Sequence, residues 1–351
     1  MSPGPRGRRE FFADAGGVLL CTLAGQQILT NEKADVDSLA GGVEVPPKVL
    51  AAQGREGGAT QQSTTLLAQS TGPRKEYWIR AESVSWDIVP RKRDEMMGKK
   101  VKGKTKFTAM AYRAYSPNFA EPLGPATIPG PTIECEIGDT VIVHFQNKLK
   151  SPVTIHPHGV LYSVDMDGAY KGKYTDPGGF VQKNETFDYV WEAVEGTQGF
   201  WFYHDHGPMD PLPIYAGLFG PLIVRDPSEP RPTKEFITAF HSFQPVTTGI
   251  DRVFWCINGR AYAGNTPTLR ASVGDDVAFY VMALDDHFHT FHIHGHRWQD
   301  PNGGQVIDNV TLGPGDGITA RFTEDNPGRW MYHCHVFSHL HGGMNGWYIV
   351  E

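Results

Sequence analysis

The sequence has few cysteines, no long apolar run and no excess of basic residues. Four cysteines, Cys21, Cys135, Cys256 and Cys334, are too few for a disulfide-stabilised scaffold of 351 residues. A cysteine with a role is therefore expected to be a metal ligand or a small buried residue. No stretch of 18 or more apolar residues occurs, so we expect no membrane span. The net charge of −7 argues against a generic nucleic-acid-binding protein.

The N-terminal fifth of the chain lacks the features of a folded domain. No aromatic residue occurs between Phe12 and Tyr77, and residues 31–74 are rich in small polar residues, which predicts a flexible low-complexity linker. Residues 1–30 carry Arg8-Arg9 before a moderately apolar stretch, a pattern typical of a twin-arginine export signal. A basic N-terminus without a signal is the alternative. The signal predicts an exported protein, periplasmic or extracellular.

From residue 75 onward the chain has the pattern of short β-strands. Alternating or β-branched runs are broken by turns, and the whole sequence holds 40 glycines and 26 prolines. Residues 131–141 are echoed by residues 267–277, one domain length later, and a proline-rich segment at 226–232 lies between them. The sequence predicts an all-β protein with two related sandwich domains, residues 75–227 and 228–351.

Histidine is absent before His144 and concentrated after it. Thirteen of the 15 histidines fall into four groups, which contain seven His-x-His pairs where roughly 0.6 would be expected by chance. In a strand, side chains at positions i and i+2 share a face, so such a pair can present two imidazoles to one metal ion. Four pairs fit this geometry: His156/His158, His204/His206, His292/His294 and His333/His335.

Residues 333–344 carry a second kind of metal signature. Cys334 is followed by His339 and Met344, and a second imidazole, best His289, would complete the blue-copper set of two histidines, a cysteine and a weakly bound methionine. Because neighbouring side chains on a strand point in opposite directions, Cys334 is expected to face this site while the histidines on either side face the other pairs. Eight further imidazoles can hold three metal ions, and four redox metals match the four electrons that reduce O2 to water.

From about Tyr77 to Glu351 the chain resembles the two-domain multicopper oxidases, particularly the small bacterial laccases. The resemblance rests on the segments His156-Pro157-His158-Gly159, His204-Asp205-His206, His289-Thr290-Phe291-His292-Ile293-His294 and the Cys334 segment. It implies two cupredoxin-like Greek-key β-sandwich domains, of which the C-terminal one carries the type 1 copper.

The resemblance also implies a ligand set for four copper ions per subunit, one of type 1, one of type 2 and two of type 3. The type 1 ligands would be His289, Cys334, His339 and Met344; the type 2 ligands His156 and His292; the type 3 ligands His158, His204, His206, His294, His333 and His335. A redox-active tyrosine matches Tyr162, and for an acidic residue that delivers protons we choose Asp167. The family assembles as a homotrimer with trinuclear clusters between subunits.

We therefore expect a laccase-like enzyme that couples one-electron oxidation of phenols or aromatic amines to four-electron reduction of O2. A metallo-oxidase acting on Fe(II) or Cu(I) is the alternative. Oxidation of Cu(I) would be expected with a methionine-rich segment, but the nine methionines are scattered; a ferroxidase would need carboxylates beside the type 1 site, and whether the loop at Asp285 and Asp286 supplies them depends on the fold. A non-enzymatic blue-copper carrier would not need eight further imidazoles. Copper nitrite reductases fit poorly, because they carry the type 1 ligands in the first domain.

The remaining histidines and cysteines have no required role. His296 and His341 extend two of the groups and are expected to lie behind or beside the ligands. Cys135 and Cys256 occur in apolar strand contexts, which favours free buried thiols over a disulfide.

Overall fold

The computed structural model describes residues 21–23, 26–28, 72–301 and 303–351. Arg8 and Arg9 of the predicted export signal, and residues 31–71 of the predicted linker, lie outside the described residues. Two short strands near the start, β1 (Cys21–Leu23) and β2 (Gln26–Ile28), pair with each other in antiparallel fashion.

The first sandwich is built from strands between residues 74 and 225. Its strands are β3 (Arg74–Asp87), β6 (Lys106–Tyr115), β7 (Ile133–Glu136), β8 (Thr140–Asn147), β9 (His156–Pro157), β10 (Thr186–Glu192), β11 (Gly199–His204) and β12 (Phe219–Arg225). Between β3 and β6 the chain forms a small hairpin of two short strands, β4 (Arg93–Asp94) and β5 (Lys99–Lys100). One sheet has the order β10-β8-β3-β6 and the other β7-β12-β11-β9, while β4 pairs only with β5.

The second sandwich follows between residues 234 and 350. Its strands are β13 (Lys234–Phe243), β14 (Phe254–Ile257), β15 (Leu269–Ala271), β16 (Asp276–Ala283), β17 (His289–Ile293), β18 (Trp298–Gln299), β19 (Val306–Ile307), β20 (Asn309–Leu312), β21 (Gly317–Thr323), β22 (Gly328–Cys334) and β23 (Asn345–Val350). The sheets have the orders β14-β13-β16-β21 and β15-β23-β22-β17-β20, and β18 pairs with β19.

Helices are few and short. They are α1 (Leu212–Tyr215), α2 (Pro245–Thr248) and α3 (Phe337–His341), with 3-10 turns at Pro117–Phe119 and Val164–Met166. None of the helices in the described part of the chain is long and apolar enough to cross a membrane. The predicted all-β class is confirmed.

The internal repeat seen in the sequence is a repeated strand–turn–strand unit. In the first copy, Gly138 adopts a positive φ of 96° and the Asp139 carboxylate accepts the backbone N–H of Glu136 at 2.8 Å. In the second copy, Gly274 has a φ of 91° and Asp275 accepts the N–H of Ser272 at 2.8 Å. Glycine tolerates this left-handed conformation without strain, so the same turn forms twice.

Three apolar clusters hold the chain together. One fills the first sandwich and includes Trp191, and another fills the second and includes Phe291. The third lies between the two domains, where residues of both sandwiches, such as Phe219 and Phe254, are completely buried together. Burial of large aromatic side chains contributes strongly to stability, so the domains are fixed relative to each other and not merely tethered.

His144 on β8 lies outside all of the histidine groups, in an acidic surface pocket. Its ring stacks on Trp78 at 4.5 Å, Nδ1 lies 2.8 Å from the Asp188 carboxylate and Nε2 lies 3.5 Å from the Glu76 carboxylate. Burial alone would lower the pKa of His144, but the hydrogen bond to Asp188 and the two negative charges raise it overall.

We predict that His144→Gln destabilises the protein in a pH-dependent way. Because the folded-state pKa is raised, the stabilisation by protonated His144 is fully present below the unfolded-state pKa and disappears as the pH rises through the folded-state pKa. The variant should lose about 0.5–1 kcal/mol more at acidic than at alkaline pH. Urea unfolding of the wild type and the variant at acidic and at alkaline pH measures the difference in the free energy of unfolding. A difference that does not vary with pH would show that His144 contributes only through the packing of its ring.

Candidate metal centres

Three buried side chains form a triangle of metal-ligating atoms, which we call the thiolate site. Cys334 ends β22, His289 begins β17, and His339 lies in α3. The Cys334 Sγ lies 3.8 Å from His289 Nδ1 and 3.6 Å from His339 Nδ1, and the two nitrogens are 3.3 Å apart. The centre of this triangle is about 2.1 Å from each corner, which matches metal–nitrogen and metal–sulfur bond lengths. The donor set of two imidazoles and one thiol suits copper.

Backbone hydrogen bonds fix the loop that brings these ligands together. The Cys334 N–H donates to the carbonyl of Met344 at 3.1 Å, and the Met344 N–H donates to the carbonyl of His339 at 3.0 Å. Met344 is completely buried in the same apolar cluster as Cys334. The Thr290 N–H also donates to the Cys334 sulfur at 3.4 Å, which helps to hold the sulfur in place.

A buried carboxylate orients His289 from behind. The Asp285 Oδ1 lies 3.0 Å from His289 Nε2, the nitrogen that points away from the triangle. Burial opposes charge on both groups, but their hydrogen bond and mutual attraction outweigh it: the pKa of Asp285 falls well below its ordinary value and the pKa of His289 rises to about 9. A carboxylate in this position fixes the ring orientation of a metal-binding histidine.

The first imidazole group, His156, His158, His204 and His206, lies at one end of the first sandwich. β9 and β11 pair so that His204 is opposite His156. The His158 and His204 Nε2 atoms are 2.9 Å apart, and the His156 ring lies 5.1–5.3 Å from the other three. The sequence-predicted pairs are therefore brought together here.

The second imidazole group, His292, His294, His333 and His335, has the same arrangement in the second sandwich. β17 and β22 pair so that His292 is opposite His333. The His294 and His333 Nε2 atoms are 3.0 Å apart, and the rings of His292 and His335 lie 5.4 Å from each other. His333 and His335 face this group while Cys334 faces the thiolate site, so one strand end serves two sites.

Hydrogen bonds to backbone carbonyls prepare several of these histidines as ligands. In four of them the Nδ1–H donates to a carbonyl oxygen at 2.6–2.8 Å, which leaves Nε2 with a free lone pair. The pairs are His156 with Asp167, His204 with Asp205, His292 with Asp308, and His333 with Cys334.

Burial keeps the most enclosed imidazoles in their neutral, metal-binding form. Desolvation is the largest cause of a lowered pKa at His158, His204 and His333, and neighbouring imidazoles lower it further. The pKa is lowered to about 4 at His158, about 3 at His204 and about 4 at His333. These rings compete weakly for protons at neutral pH and so bind metal readily.

The two imidazole groups share a scaffold that the sequence analysis did not recognise. Tyr203 precedes His204 and bonds the carbonyl of Pro131 at 2.5 Å, while Tyr332 precedes His333 and bonds the carbonyl of Pro267 at 2.7 Å. Each tyrosine ring fills the place of a side chain on a neighbouring glycine, Gly220 or Gly346. The signal in the sequence is the repeated pattern Trp-x-Tyr-His-x-His at 201–206 and 330–335.

Within the described ranges, no ring contact joins the two imidazole groups, and they form separate clusters of potential ligands. Both are open to solvent on one side. His206 has 41% of its side chain exposed, His294 and His335 are exposed residues, and His292 is half-buried. Each group offers four imidazoles, half of the eight that the sequence analysis expects around three metal ions.

Tyr162 and Asp167 lie beside His156, as the sequence analysis expects. The Asp167 Oδ1 lies 3.2 Å from His156 Nδ1, and the Tyr162 ring is 6.1 Å from the His156 ring. Lys171, which the sequence analysis missed, forms an ion pair with Asp167 at 2.7 Å. Burial would raise the pKa of Asp167, but Lys171 and His156 lower it overall, so this carboxyl is ionised.

His296 lies behind the second imidazole group in a buried polar network. Its Nδ1–H donates to the carbonyl of His294 at 2.7 Å, and Nε2 lies 2.9 Å from the buried carboxylate of Glu324. The Tyr348 hydroxyl donates to the same carboxylate. His296 therefore supports a ligand strand from the rear, while His341, which is exposed, has no such contact in the described structure. Cys135 and Cys256 are free and buried, as predicted.

Three aromatic side chains around the thiolate site were missed by the sequence analysis, and one of them, Trp255, comes from a distant part of the chain. The Trp255 ring stacks on His339 with centroids 3.6 Å apart and an interplanar angle of 19°. Phe288 and Phe337, which lie one and two residues before ligands, are 60% and 66% exposed. These aromatic side chains form an apolar rim next to the two imidazoles.

Several buried polar atoms near this rim lack a hydrogen-bond partner among the described residues: Asp285 Oδ2, His287 Nδ1 and Tyr215 Oη. His287 Nδ1 lies 3.6 Å from Asp285 Oδ1, too far for a hydrogen bond. Burial is the largest cause of the raised pKa of Tyr215, and interaction with Asp286 and the charge of Asp285 raise it further. An ionised carboxylate with one unpaired buried oxygen attracts a hydrogen-bond donor or a cation.

Comparisons with known proteins agree with this architecture. Residues 125–229 and 236–351 match two family models, each described as multicopper oxidase. Human ceruloplasmin is 30% identical over 354 residues, covering 83% of this chain and 32% of its own length. A probable nitrite reductase-hydroxylamine oxidoreductase fusion protein of Kuenenia stuttgartiensis is 33% identical over 248 residues, 64% of this chain and 28% of that protein. This chain therefore spans about a third or less of these curated relatives.

Solved structures confirm the cupredoxin-like fold. The crystal structure of a blue copper oxidase from Nitrosomonas europaea superposes with a TM-score of 0.62 at 24% identity, covering 79% of this chain and 86% of that one. At this level of identity the likeness concerns the fold alone.

Proposed function

This chain belongs to the multicopper oxidase family, a class of copper-binding oxidoreductases that use O2, and on that premise we propose that it is a laccase-like oxidase. It would couple one-electron oxidation of phenols or aromatic amines to four-electron reduction of O2 to water. One observation carries this proposal: Cys334 belongs to the thiolate site while its two chain neighbours belong to the second imidazole group.

The residues in each site fit the copper ions that the resemblance implies. His289, Cys334 and His339, together with Met344, would hold the type 1 copper, and the two imidazole groups would hold one type 2 and two type 3 ions. Bound copper supplies one-electron redox chemistry at the first site and O2 reduction at the others. The peptide units on either side of Cys334 form the shortest covalent route between the sites.

Side chains of this protein lie at both ends of the route, beside the thiolate site and beside the imidazole groups. At the thiolate site, Phe288 and Phe337 offer exposed apolar faces to an aromatic reductant, and Trp255 covers the His339 ring. At the first imidazole group, the ionised Asp167 carboxylate, held between His156 and Lys171, can accept and release protons beside the site where O2 is consumed. Tyr162 lies within reach of the same carboxylate.

We predict that Cys334→Ser abolishes the intense visible absorption of the copper–thiolate bond and lowers oxygen uptake with 2,6-dimethoxyphenol by at least about a hundredfold. The reason is that a serine hydroxyl is a poor, hard ligand for this site. Absorption spectra and an oxygen electrode measure both effects. Cys135→Ser, a matched change of another buried free thiol, should keep the band; a Cys334→Ser protein that keeps both properties would contradict the ligand assignment.

We also propose that the active protein is a homotrimer in which the first imidazole group of one subunit meets the second imidazole group of the next. Support comes from the separation of the two groups within one chain and from the exposure of His206, His294 and His335. Contacts between two different surfaces close into a ring when the rotation permits it.

Complementation tests this assembly. His158→Ala removes a ligand from the first group and His294→Ala removes one from the second, so each variant alone should lose oxygen uptake. In mixed rings formed by co-expression, a subunit contact is intact only where a subunit with an intact first group meets a neighbour with an intact second group. Random mixing produces this at about a quarter of the contacts, so roughly a quarter of the wild-type activity should return. No recovery in mixed oligomers, with normal oligomer mass by light scattering, would place both groups of one cluster in the same chain.

Oxidation of Fe(II) is a second candidate function, favoured by the unpaired, ionised Asp285 oxygen beside His289. His287 Nδ1 and the nearby Asp286 could complete the surroundings of a divalent cation there. Hard cations and Fe(II) accept such carboxylate and imidazole ligands.

Substrate preference separates the two candidates. If Fe(II) is the natural reductant, the wild-type enzyme should oxidise Fe(II) with a higher kcat/KM than 2,6-dimethoxyphenol, and Asp285→Asn should lower the Fe(II) value at least about tenfold more than the phenol value. Because Asp285 also contacts His289, the substitution can lower both kcat/KM values together; the ratio of the Fe(II) value to the phenol value cancels this shared effect. For a laccase-like enzyme, the phenol should be the better substrate and the ratio should stay unchanged.

Predicted export is part of the same proposal. The arginine pair at Arg8-Arg9, followed by a moderately apolar stretch, supports it.

A further inference from the structure

One surface segment of this acidic protein is strongly basic. Residues 91–106, which we call the basic hairpin, include β4 and β5 and hold eight lysines and arginines but only two acidic residues. The hairpin therefore carries a net charge of +6, whereas the whole chain carries −7. Such a local concentration of one sign of charge attracts and steers an oppositely charged partner.

Inward-facing residues hold the hairpin against the first domain. The Val101 N–H donates to the carbonyl of Lys92 at 3.0 Å. The buried Thr105 accepts the N–H of Ile88 at its carbonyl, at 2.9 Å, and donates its hydroxyl to the Asp87 carboxylate at 2.6 Å. The segment between these anchors is thereby ordered before any partner binds, which lowers the entropy lost on binding.

Most of the exposed cations of the hairpin have no acidic partner within the described structure. Arg91 pairs with Glu95 at 3.0 Å and Lys92 with Asp87 at 3.1 Å. By contrast, six exposed cations form no ion pair with any described residue: Arg93, Lys99, Lys100, Lys102, Lys104 and Lys106. On the other domain, the Asp251 carboxylate accepts the backbone N–H of Lys104 at 2.5 Å. Six unneutralised charges on one ordered segment form a binding surface for a polyanion.

The basic hairpin also contacts the second domain. Arg252 donates to the carbonyl of Lys102 at 3.0 Å, and the Glu95 N–H donates to the carbonyl of Ala263 at 3.1 Å. These contacts to both domains hold the hairpin in one position.

The residues around the lysines indicate which polyanion fits. Residues 91–106 contain no aromatic side chain on which nucleic-acid bases could stack. Met97 is the one large apolar side chain exposed in the described hairpin, and the neighbouring Glu95 is tied to Arg329 and Trp347, so the turn is not free to insert into a bilayer. Lysines without aromatic anchors are also unlike the centre of a protein–protein interface. Recognition here depends on charge alone.

We propose that the basic hairpin is a docking surface for a linear anionic polysaccharide that carries sulfate or carboxylate groups. The ordered row of exposed lysines at 100, 102, 104 and 106 provides the binding charges, and the polymer holds the enzyme in place while the thiolate site remains open to small reductants. This docking function does not depend on which reductant the enzyme oxidises.

Heparin, a linear sulfated polysaccharide, is the probe that tests the proposal. The fourfold variant K100Q/K102Q/K104Q/K106Q should bind heparin at least about tenfold more weakly than the wild type at roughly 50 mM salt, and its affinity should depend less steeply on salt concentration. The control variant K75Q/K148Q/K183Q/K234Q changes the net charge by the same amount on other elements and should lose less than about twofold. Replacement of the four hairpin lysines by arginine should preserve binding.

Circular dichroism and thermal unfolding establish that each variant is folded. The proposal is overturned if the wild type does not bind heparin, or if both fourfold glutamine variants lose affinity equally, because net charge would then explain the binding. It is also overturned if the hairpin variant loses affinity for phosphatidylglycerol vesicles or for single-stranded oligo(dT) but keeps its affinity for heparin. Either result would assign the surface to a different class of partner.

Discussion

The alternation of side chains at the end of strand β22 is the constraint on which the rest of this structure depends. His333, Cys334 and His335 are consecutive, yet the sulfur lies in the thiolate site and the two imidazoles lie in the second imidazole group. A helix could not do this, because consecutive helical side chains do not point in opposite directions. The extended backbone places the thiolate site and the second imidazole group on opposite sides of the same strand end. The surrounding sandwich keeps that strand end rigid.

The rigidity comes from packing between the domains as well as within them. The third apolar cluster joins both sandwiches around fully buried aromatics such as Phe219 and Phe254, so the orientation of one imidazole group relative to the other is fixed in each chain. Because the two groups do not meet in the described chain, a fixed orientation is what allows a neighbouring subunit to complete each cluster under the proposed assembly. If the two domains were joined only by a flexible linker, the orientation of one imidazole group relative to the other would vary.

The sequence predicted the fold class and the grouping of the histidines because both follow from local rules. The i, i+2 spacing puts His156 near His158 whatever the rest of the chain does, and glycine-punctuated strands indicate a sandwich. What it could not predict depends on distant segments. Trp255 covers His339 only because β14 pairs within the second sandwich, and Lys171 reaches Asp167 through a loop whose path has no periodic signal.

The histidines that two buried carboxylates contact could not be predicted from the sequence either. Asp285 and Glu324 are ordinary acidic residues in the sequence, but the fold places one behind His289 and the other behind His296. Their roles depend on tertiary packing, which excludes water and makes each hydrogen bond specific. The boundaries of the two domains, 75–227 and 228–351, stay a prediction, although the strands of the two sandwiches fall on either side of residue 227.

One difference between the otherwise duplicated halves gives the molecule a direction. In the first half the residue between the paired histidines is Asp205, fully buried and hydrogen-bonded to the backbone N–H groups of Thr154 and Gly207, and in the second half it is Cys334. A structural carboxylate thus stands in the first half where the second half has its thiol. Under the proposed function and assembly, electrons would enter each subunit only through its second half, and they would cross every subunit contact in the same direction.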